Sequence, residues 1–105
     1  MLLLNSENFE QEVLKSEIPV LVDFFADWCG PCQAMGPVVE ELYEKEGREG
    51  KVKIGKVNVD ENQALAEIYG VMSIPTIIAF KNGQEIGRKI GLVGKEELVK
   101  LVQLG

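Results

Sequence analysis

The strongest constraint on the fold is an apolar run from Val20 to Ala26 that only Asp23 interrupts. A strand with one wet face alternates apolar and polar residues, whereas a nearly continuous apolar strand is covered on both faces, as in a parallel sheet. Parallel strands need long crossover connections, which are usually helices. The run therefore predicts an α/β protein with a central sheet and helices on both of its faces.

The rest of the chain alternates between strand and helix patterns. In order, the sequence predicts a strand at 1–4, a helix ending near Ser16, the strand Val20–Ala26, a helix from Pro31 to about Gly47, a strand from Val52 to Val59, a helix from Gln63 to Tyr69, strands Thr76–Phe80 and Gln84–Ile90, and a last helix carrying Leu98, Leu101 and Val102. Asn82-Gly83 predicts a hairpin between the last two strands, and Gly55 predicts a weak point or a bulge in its strand. The predicted order is β-α-β-α-β-α-β-β-α, with a mixed, mostly five-stranded sheet.

Length and composition bound the class of protein. The 105 residues, 46% of them apolar, are expected to form a single domain spanning 1–105 with one ordinary core. Net charge is -6, and the basic residues of the second half are scattered, with no cluster and no aromatic interleaving, so no nucleic-acid binding is expected. Met1 to Leu4 is too short for a signal peptide, and no apolar run approaches the roughly 20 residues of a membrane span. We expect a cytoplasmic monomer.

Both cysteines lie in one motif, Trp28-Cys29-Gly30-Pro31-Cys32. The Gly-Pro pair favours a turn that opens a helix, and two cysteines three residues apart on a helix have Cα atoms about 5 Å apart, a separation that a disulfide accepts. Cys29 would meet free backbone N–H groups at the helix start, which favour its thiolate. We therefore predict a redox dithiol, with Cys29 as the exposed attacking thiol and Cys32 as the resolving thiol.

Two other interpretations of the cysteine pair are open. One is half of a zinc site, but structural zinc needs four ligands and the chain has no histidine and no third cysteine, so a zinc site would have to bridge two chains. The other is an inert structural pair. We expect no metal and no bound cofactor; the redox-active group would be the Cys29–Cys32 disulfide itself.

Asp23 is the second candidate, because a carboxylate within an apolar strand is costly to bury in its ionised form. Burial usually raises the pKa of such a group. A solvated edge position or a satisfied core acid are the alternative interpretations, and spacing alone does not bring Asp23 near the thiols.

Four features together resemble the thioredoxin family: the strand Val20–Ala26, the motif Trp28–Cys32, Pro37 inside the following helix, and Ile74-Pro75-Thr76 before an apolar strand. The likeness covers essentially the whole order of elements. It implies the thioredoxin fold, with Asp23 beneath the dithiol exchanging protons with Cys32 through water, and with Lys56 as the neighbour of that acid.

The resemblance also implies a substrate site. It implies that Pro75 follows a cis peptide bond and faces the dithiol, where the nearby backbone pairs with an extended substrate segment. An apolar groove around Cys29 would be lined by Trp28, Gly30, Pro31, Ile74, Gly91 and Leu92. An ordinary trans turn at Pro75, and plain packing at the other positions, are the alternatives.

The implied activity is reduction of protein disulfides, which makes the chain an electron carrier. No Gly-x-Gly-x-x-Gly motif is present to bind a nicotinamide or flavin, so a thioredoxin reductase would have to re-reduce the disulfide. One rival is an oxidant or isomerase of the same fold, but those relatives commonly carry other residues between the cysteines than Gly30-Pro31. The other is a non-catalytic binding module, which would not need Asp23, Lys56 and Pro75 beside an intact dithiol.

Three positions depart from the family pattern. Gln33 stands where lysine or arginine is most common, which removes a positive charge beside the dithiol. Phe25 replaces a tryptophan common in bacterial members, and we interpret it as a packing change. Met72 gives the rim before Ile74 an apolar side chain, which would influence the choice of partner.

Overall fold

The computed structural model describes residues 1–103, and its strands form one five-stranded sheet. The strands are β1 (Leu2–Leu3), β2 (Val20–Phe25), β3 (Lys53–Asn58), β4 (Thr76–Lys81) and β5 (Gln84–Ile90). The helices are a π-helical turn (Glu10–Leu14), α1 (Gly30–Leu42) with a π-helical continuation (Tyr43–Gly47), α2 (Gln63–Ile68) and α3 (Lys95–Gln103). The predicted element order and the mixed sheet are confirmed.

The apolar run occupies the middle of the sheet, whose strand order is β1-β3-β2-β4-β5. Strand β2 pairs in parallel with β3 and antiparallel with β4, and this register sets Asp23 beside Lys56 on one side and Ile77 on the other. The hairpin at Asn82-Gly83 also forms, and both residues have positive φ, as a type I′ hairpin turn requires. The acid and the lysine are therefore cross-strand neighbours.

Successive residues of β2 point to opposite faces, and each face has its own apolar cluster. Val20, Val22 and Phe24 pack with Phe9, which precedes the first helical turn as its N-cap, and with Leu65 of α2. Leu21 packs on the other face with residues of α1 and α3, namely Met35, Val39, Leu42, Leu98 and Leu101. The helices on both faces confirm the prediction made from the apolar run. None of the helices within residues 1–103 combines the length and apolarity that a membrane span requires.

The predicted bulge at Gly55 is wrong. Gly55 pairs in regular register with Leu2 and Val22, and the irregularity in the sheet lies instead between Ala79 and Phe80, where β4 faces β5. A Cβ atom at Gly55 would lie 2.5 Å from Leu4 Cδ1 and 2.8 Å from Leu4 Cγ. Close packing against the buried Leu4 side chain, rather than a bulge, thus explains the glycine.

We expect Gly55→Ala to lower the free energy of unfolding by about 1–3 kcal/mol, since the added methyl group overpacks a filled site. Gly36→Ala is the matched control, because Gly36 lies inside α1 and its Cβ position has no heavy atom within 4 Å. There the same change should stabilise the protein by roughly 0.5–1 kcal/mol. Urea denaturation of both oxidised variants measures the difference, and equal effects at the two sites would contradict this account of Gly55.

Candidate active site

Cys29 and Cys32 are joined by a disulfide at the first turn of α1, with their Cα atoms 5.2 Å apart. Cys29 is the N-cap: its backbone is extended, and its Sγ accepts a hydrogen bond from the backbone N–H of Cys32 at 3.2 Å. Pro31 lies in the first turn, where the absence of an N–H group loses no helical hydrogen bond. In the reduced protein the same N–H group and the helix dipole favour a thiolate at Cys29.

The expectation that Cys29 is exposed is wrong for this oxidised state. Cys29 is 3% exposed and Cys32 is 6% exposed, and both form a small apolar cluster with Ala26. Phe25, Val59 and Ile74, which are partly buried, pack against this cluster. A disulfide of another protein can therefore reach Cys29 only by close contact with the chain segments that surround the Cys29–Cys32 disulfide. We call these segments the rim.

The segment 74–75 forms one wall of that rim. The Ile74–Pro75 peptide bond is cis, and the carbonyl oxygen of Ile74 lies 3.8 Å from Cys29 Sγ. The backbone N–H of Gly91 donates to the carbonyl of Pro75 at 2.8 Å, and Gly91 has a φ of +90°, a backbone conformation that side chains other than hydrogen rarely permit. The structure thus places Ile74 beside the disulfide and joins Gly91 to the neighbouring Pro75.

Large apolar side chains are exposed in the segments that flank the disulfide. Trp28 is 71% exposed, Met72 97% and Leu92 58%. Gly30 is exposed as well, and a Cβ atom there would meet no heavy atom within 4 Å, so the backbone is open to an incoming chain. Exposed apolar residues next to a reactive group are typical of a docking surface for another protein.

Asp60 is a residue of this site that the sequence analysis did not identify. Its carboxylate accepts a hydrogen bond from Trp28 Nε1 at 2.8 Å, and its backbone N–H donates to Asn58 Oδ1 at 2.9 Å. The contact fixes the exposed indole beside the cysteines. Because 32 residues separate Trp28 and Asp60 in the sequence, no local pattern could have revealed the contact.

Asp23 is 2% exposed, and its side chain faces the cavity between the sheet, α1 and α3. The cavity is otherwise lined by apolar residues, which are Leu21, Val39, Leu42, Ile54, Ile77 and Leu98. Burial raises the pKa of Asp23 to about 6, and the positive charge of Lys56 partly offsets that rise. Within residues 1–103, Asp23 Oδ1 has no hydrogen-bond partner. Burial thus holds the pKa of Asp23 above the ordinary range of an aspartic acid, as its place in an apolar strand predicts.

Lys56 stands opposite Asp23 in the β2–β3 register, and its Nζ lies 4.4 Å from the centre of the Phe25 ring. This distance is within the range of a cation–π interaction. The interpretation of Phe25 as a packing change is therefore incomplete, because its ring faces the ammonium group of a candidate site residue.

Gln33 lies on the exposed side of α1, and its side-chain amide donates to the carbonyl of Asp27 at 3.0 Å. We expect Gln33→Lys to raise the thiolate fraction of reduced Cys29, because a positive charge near the helix start stabilises the anion. At an exposed position the effect should be about twofold in the rate of alkylation at neutral pH. Gln103→Lys is the control, since Gln103 lies against Pro19 and Leu42, at the opposite ends of β2 and α1. Equal rates for the Gln33→Lys and Gln103→Lys proteins would contradict the prediction.

Residues 1–103 contain no group of three or more cysteine or acidic side chains that could hold a metal ion, and histidine is absent from the sequence. The group with redox capacity at this site is the disulfide itself.

Comparison with known proteins shows which family this chain is similar to along nearly its whole length. The family model described as Thioredoxin matches residues 1–104. Thioredoxin 1 of Nostoc sp. is 50% identical over 95 residues, which cover 90% of this chain and 87% of the relative. Thioredoxin of Rickettsia bellii is 47% identical over 96 residues, with 91% and 90% covered, and that of Haemophilus influenzae is 46% identical over 99 residues, with 94% and 91% covered. The chain therefore belongs to the thioredoxin family, and with its Cys29–Cys32 pair it is a thiol–disulfide oxidoreductase that reduces protein disulfides.

Proposed function

We propose that Cys29 carries out the attack in this reaction and Cys32 completes it. The Cys29 thiolate attacks one sulfur of a substrate disulfide, so a Cys29–substrate bond forms and the other substrate sulfur leaves as a thiolate, which takes up a proton. Cys32 then attacks Cys29 Sγ, which releases the second substrate thiol and closes the Cys29–Cys32 disulfide. Two electrons and two protons pass to the substrate. The supporting observation is the position of Cys29 Sγ, which caps α1 beside the cis Ile74–Pro75 bond.

We assign the proton step to Asp23. Cys32 must lose its proton before it attacks, and an acid that titrates near pH 6 is a suitable acceptor at neutral pH. Lys56 would adjust the acidity of Asp23 through its positive charge. Because Asp23 lies in a closed, mostly apolar cavity, we propose that the proton travels through water admitted when the disulfide opens.

Substrates would bind at the rim, by backbone pairing and apolar contact. We propose that the backbone beside Pro75 and Gly91 pairs with an extended segment of the substrate, while Trp28, Leu92 and Ile74 contact the residues that flank its disulfide. Gly30 and Pro31 would let the substrate backbone approach Cys29 closely. Neutral backbone and apolar contacts suit a protein that must accept many different disulfides.

The oxidised protein must be reduced again in each cycle, and we propose a thioredoxin reductase as the partner that does so. The reductase would supply the electrons, so the chain needs no bound cofactor. We further propose that the protein works as a single domain and a monomer in the cytoplasm, where the thiol pool keeps such a dithiol reduced.

Reduction of insulin disulfides by dithiothreitol tests the proposal. The wild-type protein should accelerate insulin reduction well above the rate of dithiothreitol alone, while Cys29→Ser should leave only that background rate. If the Cys29→Ser protein accelerates the reaction as much as the wild type does, the assignment of Cys29 as the attacking thiol is wrong.

A further inference from the structure

The contact between Phe25 and Lys56 joins two residues around the buried acid. Asp23 and Phe25 are two residues apart on β2, so their side chains lie on the same face of the sheet. Lys56 pairs with Asp23 on the neighbouring parallel strand, and its ammonium group lies over the Phe25 ring at 4.4 Å. The side chain of Lys56 therefore runs along β3 towards the end of β2 that leads to Cys29.

Lys56 is the charged group that acts on the Asp23 carboxyl. On this face α1 contributes Met35, Val39 and Leu42, α3 contributes Leu98 and Leu101, and β4 contributes Ile77, so each of these elements presents apolar side chains. Residues 1–103 contain no carboxylate within 4.0 Å of Lys56 Nζ that would anchor it as an ion pair. The aromatic ring is thus the group that meets the ammonium.

We propose that Phe25 is a positioning residue, whose ring holds the Lys56 ammonium beside Asp23 and so sets when that acid accepts the proton of Cys32. Lysine has a flexible four-carbon stem and a strongly hydrated head, so without a partner its ammonium spreads over many positions in water. The negative face of the ring favours one of these positions. The functional part of this inference depends on the proposed role of Asp23, whereas the coupling among the three side chains does not.

The coupling can be measured in the oxidised protein, where neither thiol titrates. The midpoint of the Asp23 carboxyl titration is followed by carbon NMR in four proteins: wild type, Phe25→Leu, Lys56→Gln and the double variant. Removal of the ring should raise the midpoint, because Lys56 then offsets the effect of burial less well. In the Lys56→Gln background the same removal should have no further effect. An equal shift in both backgrounds would overturn the proposal, since the ring would then act by packing alone.

Two replacements that preserve the ring volume separate charge from packing. Phe25→Tyr keeps the negative ring face and should retain the wild-type midpoint. Incorporation of pentafluorophenylalanine at position 25 keeps the shape but reverses the ring quadrupole, and it should shift the midpoint upward as Phe25→Leu does. If the fluorinated protein folds and titrates like the wild type, the proposal fails even where Phe25→Leu does not fold.

The effect of Phe25 on the proton step is measured in a separate experiment. With Cys29 linked to a chromogenic thiol, the rate at which Cys32 releases that thiol reports the proton step. An upward shift of the midpoint by 0.3 to 1 unit would slow release by about two- to tenfold below the midpoint, since one unit is a factor of ten. An unchanged release profile together with a shifted midpoint would show that Asp23 is not the proton acceptor. The loss of insulin reduction by the wild type, in contrast, would contradict the assigned function and leave the NMR result standing.

Discussion

Cys32→Ser should convert the protein from a catalyst into a trap for its substrates. Cys29 remains able to attack, because its position at the N-cap of α1 and its free backbone donors do not depend on the second sulfur. The mixed disulfide that forms has no neighbouring thiol to resolve it. An intramolecular thiol acts at a high effective concentration, so its loss should lower turnover by at least about a hundredfold.

Mass spectrometry after mixing reduced Cys32→Ser protein with insulin measures this outcome directly. Most of the protein should carry one insulin chain through Cys29, and dithiothreitol should release it. Cys29→Ser is the matched control and should form little adduct, since Cys32 lies inside α1 and lacks the N-cap position that favours a thiolate at Cys29. The opposite pattern, with adduct on Cys32 and none on Cys29, would reverse the two assigned roles.

The fold was largely predictable because its signals are local. The apolar run of β2, the hairpin at Asn82-Gly83 and the helical spacing of buried residues each lie within a short segment. The disulfide geometry was predictable for the same reason, since a three-residue helical spacing fixes the separation of the Cα atoms. Local patterns were therefore sufficient for the element order and for the redox pair.

Contacts between segments that are distant in the sequence could not be predicted. The burial of Cys29 depends on Val59 and Ile74, the orientation of Trp28 depends on Asp60, and the glycine at position 55 reflects the side chain of Leu4. The pairing of Asp23 with Lys56 likewise follows from the strand register, and in the sequence only the family resemblance indicated it. Tertiary packing, rather than any periodicity, determines these features.

Asp23→Asn should change how stability depends on pH, because the pKa of the acid differs between the folded and unfolded chain. Burial raises that pKa from 3.8 to about 6. Between these values the folded protein binds more protons than the unfolded one, so stability falls as pH rises through this window. Below about pH 3 both states are protonated, and above about pH 7 the full penalty of a buried carboxylate is present. The shift corresponds to about 3 kcal/mol.

Asparagine has nearly the same shape as aspartic acid and stays neutral, so the variant lacks this penalty. We expect the free energy of unfolding of Asp23→Asn to exceed that of the wild type by about 3 kcal/mol more at pH 7 than at about pH 3. Urea denaturation of the oxidised proteins across this range gives the difference, from which the titration of all other groups cancels. Asp27→Asn is the control, because it makes the same change at an exposed position. A difference for Asp23→Asn that does not vary with pH would show that burial does not raise the pKa of Asp23, and the acid would then be a poor acceptor for the proton of Cys32.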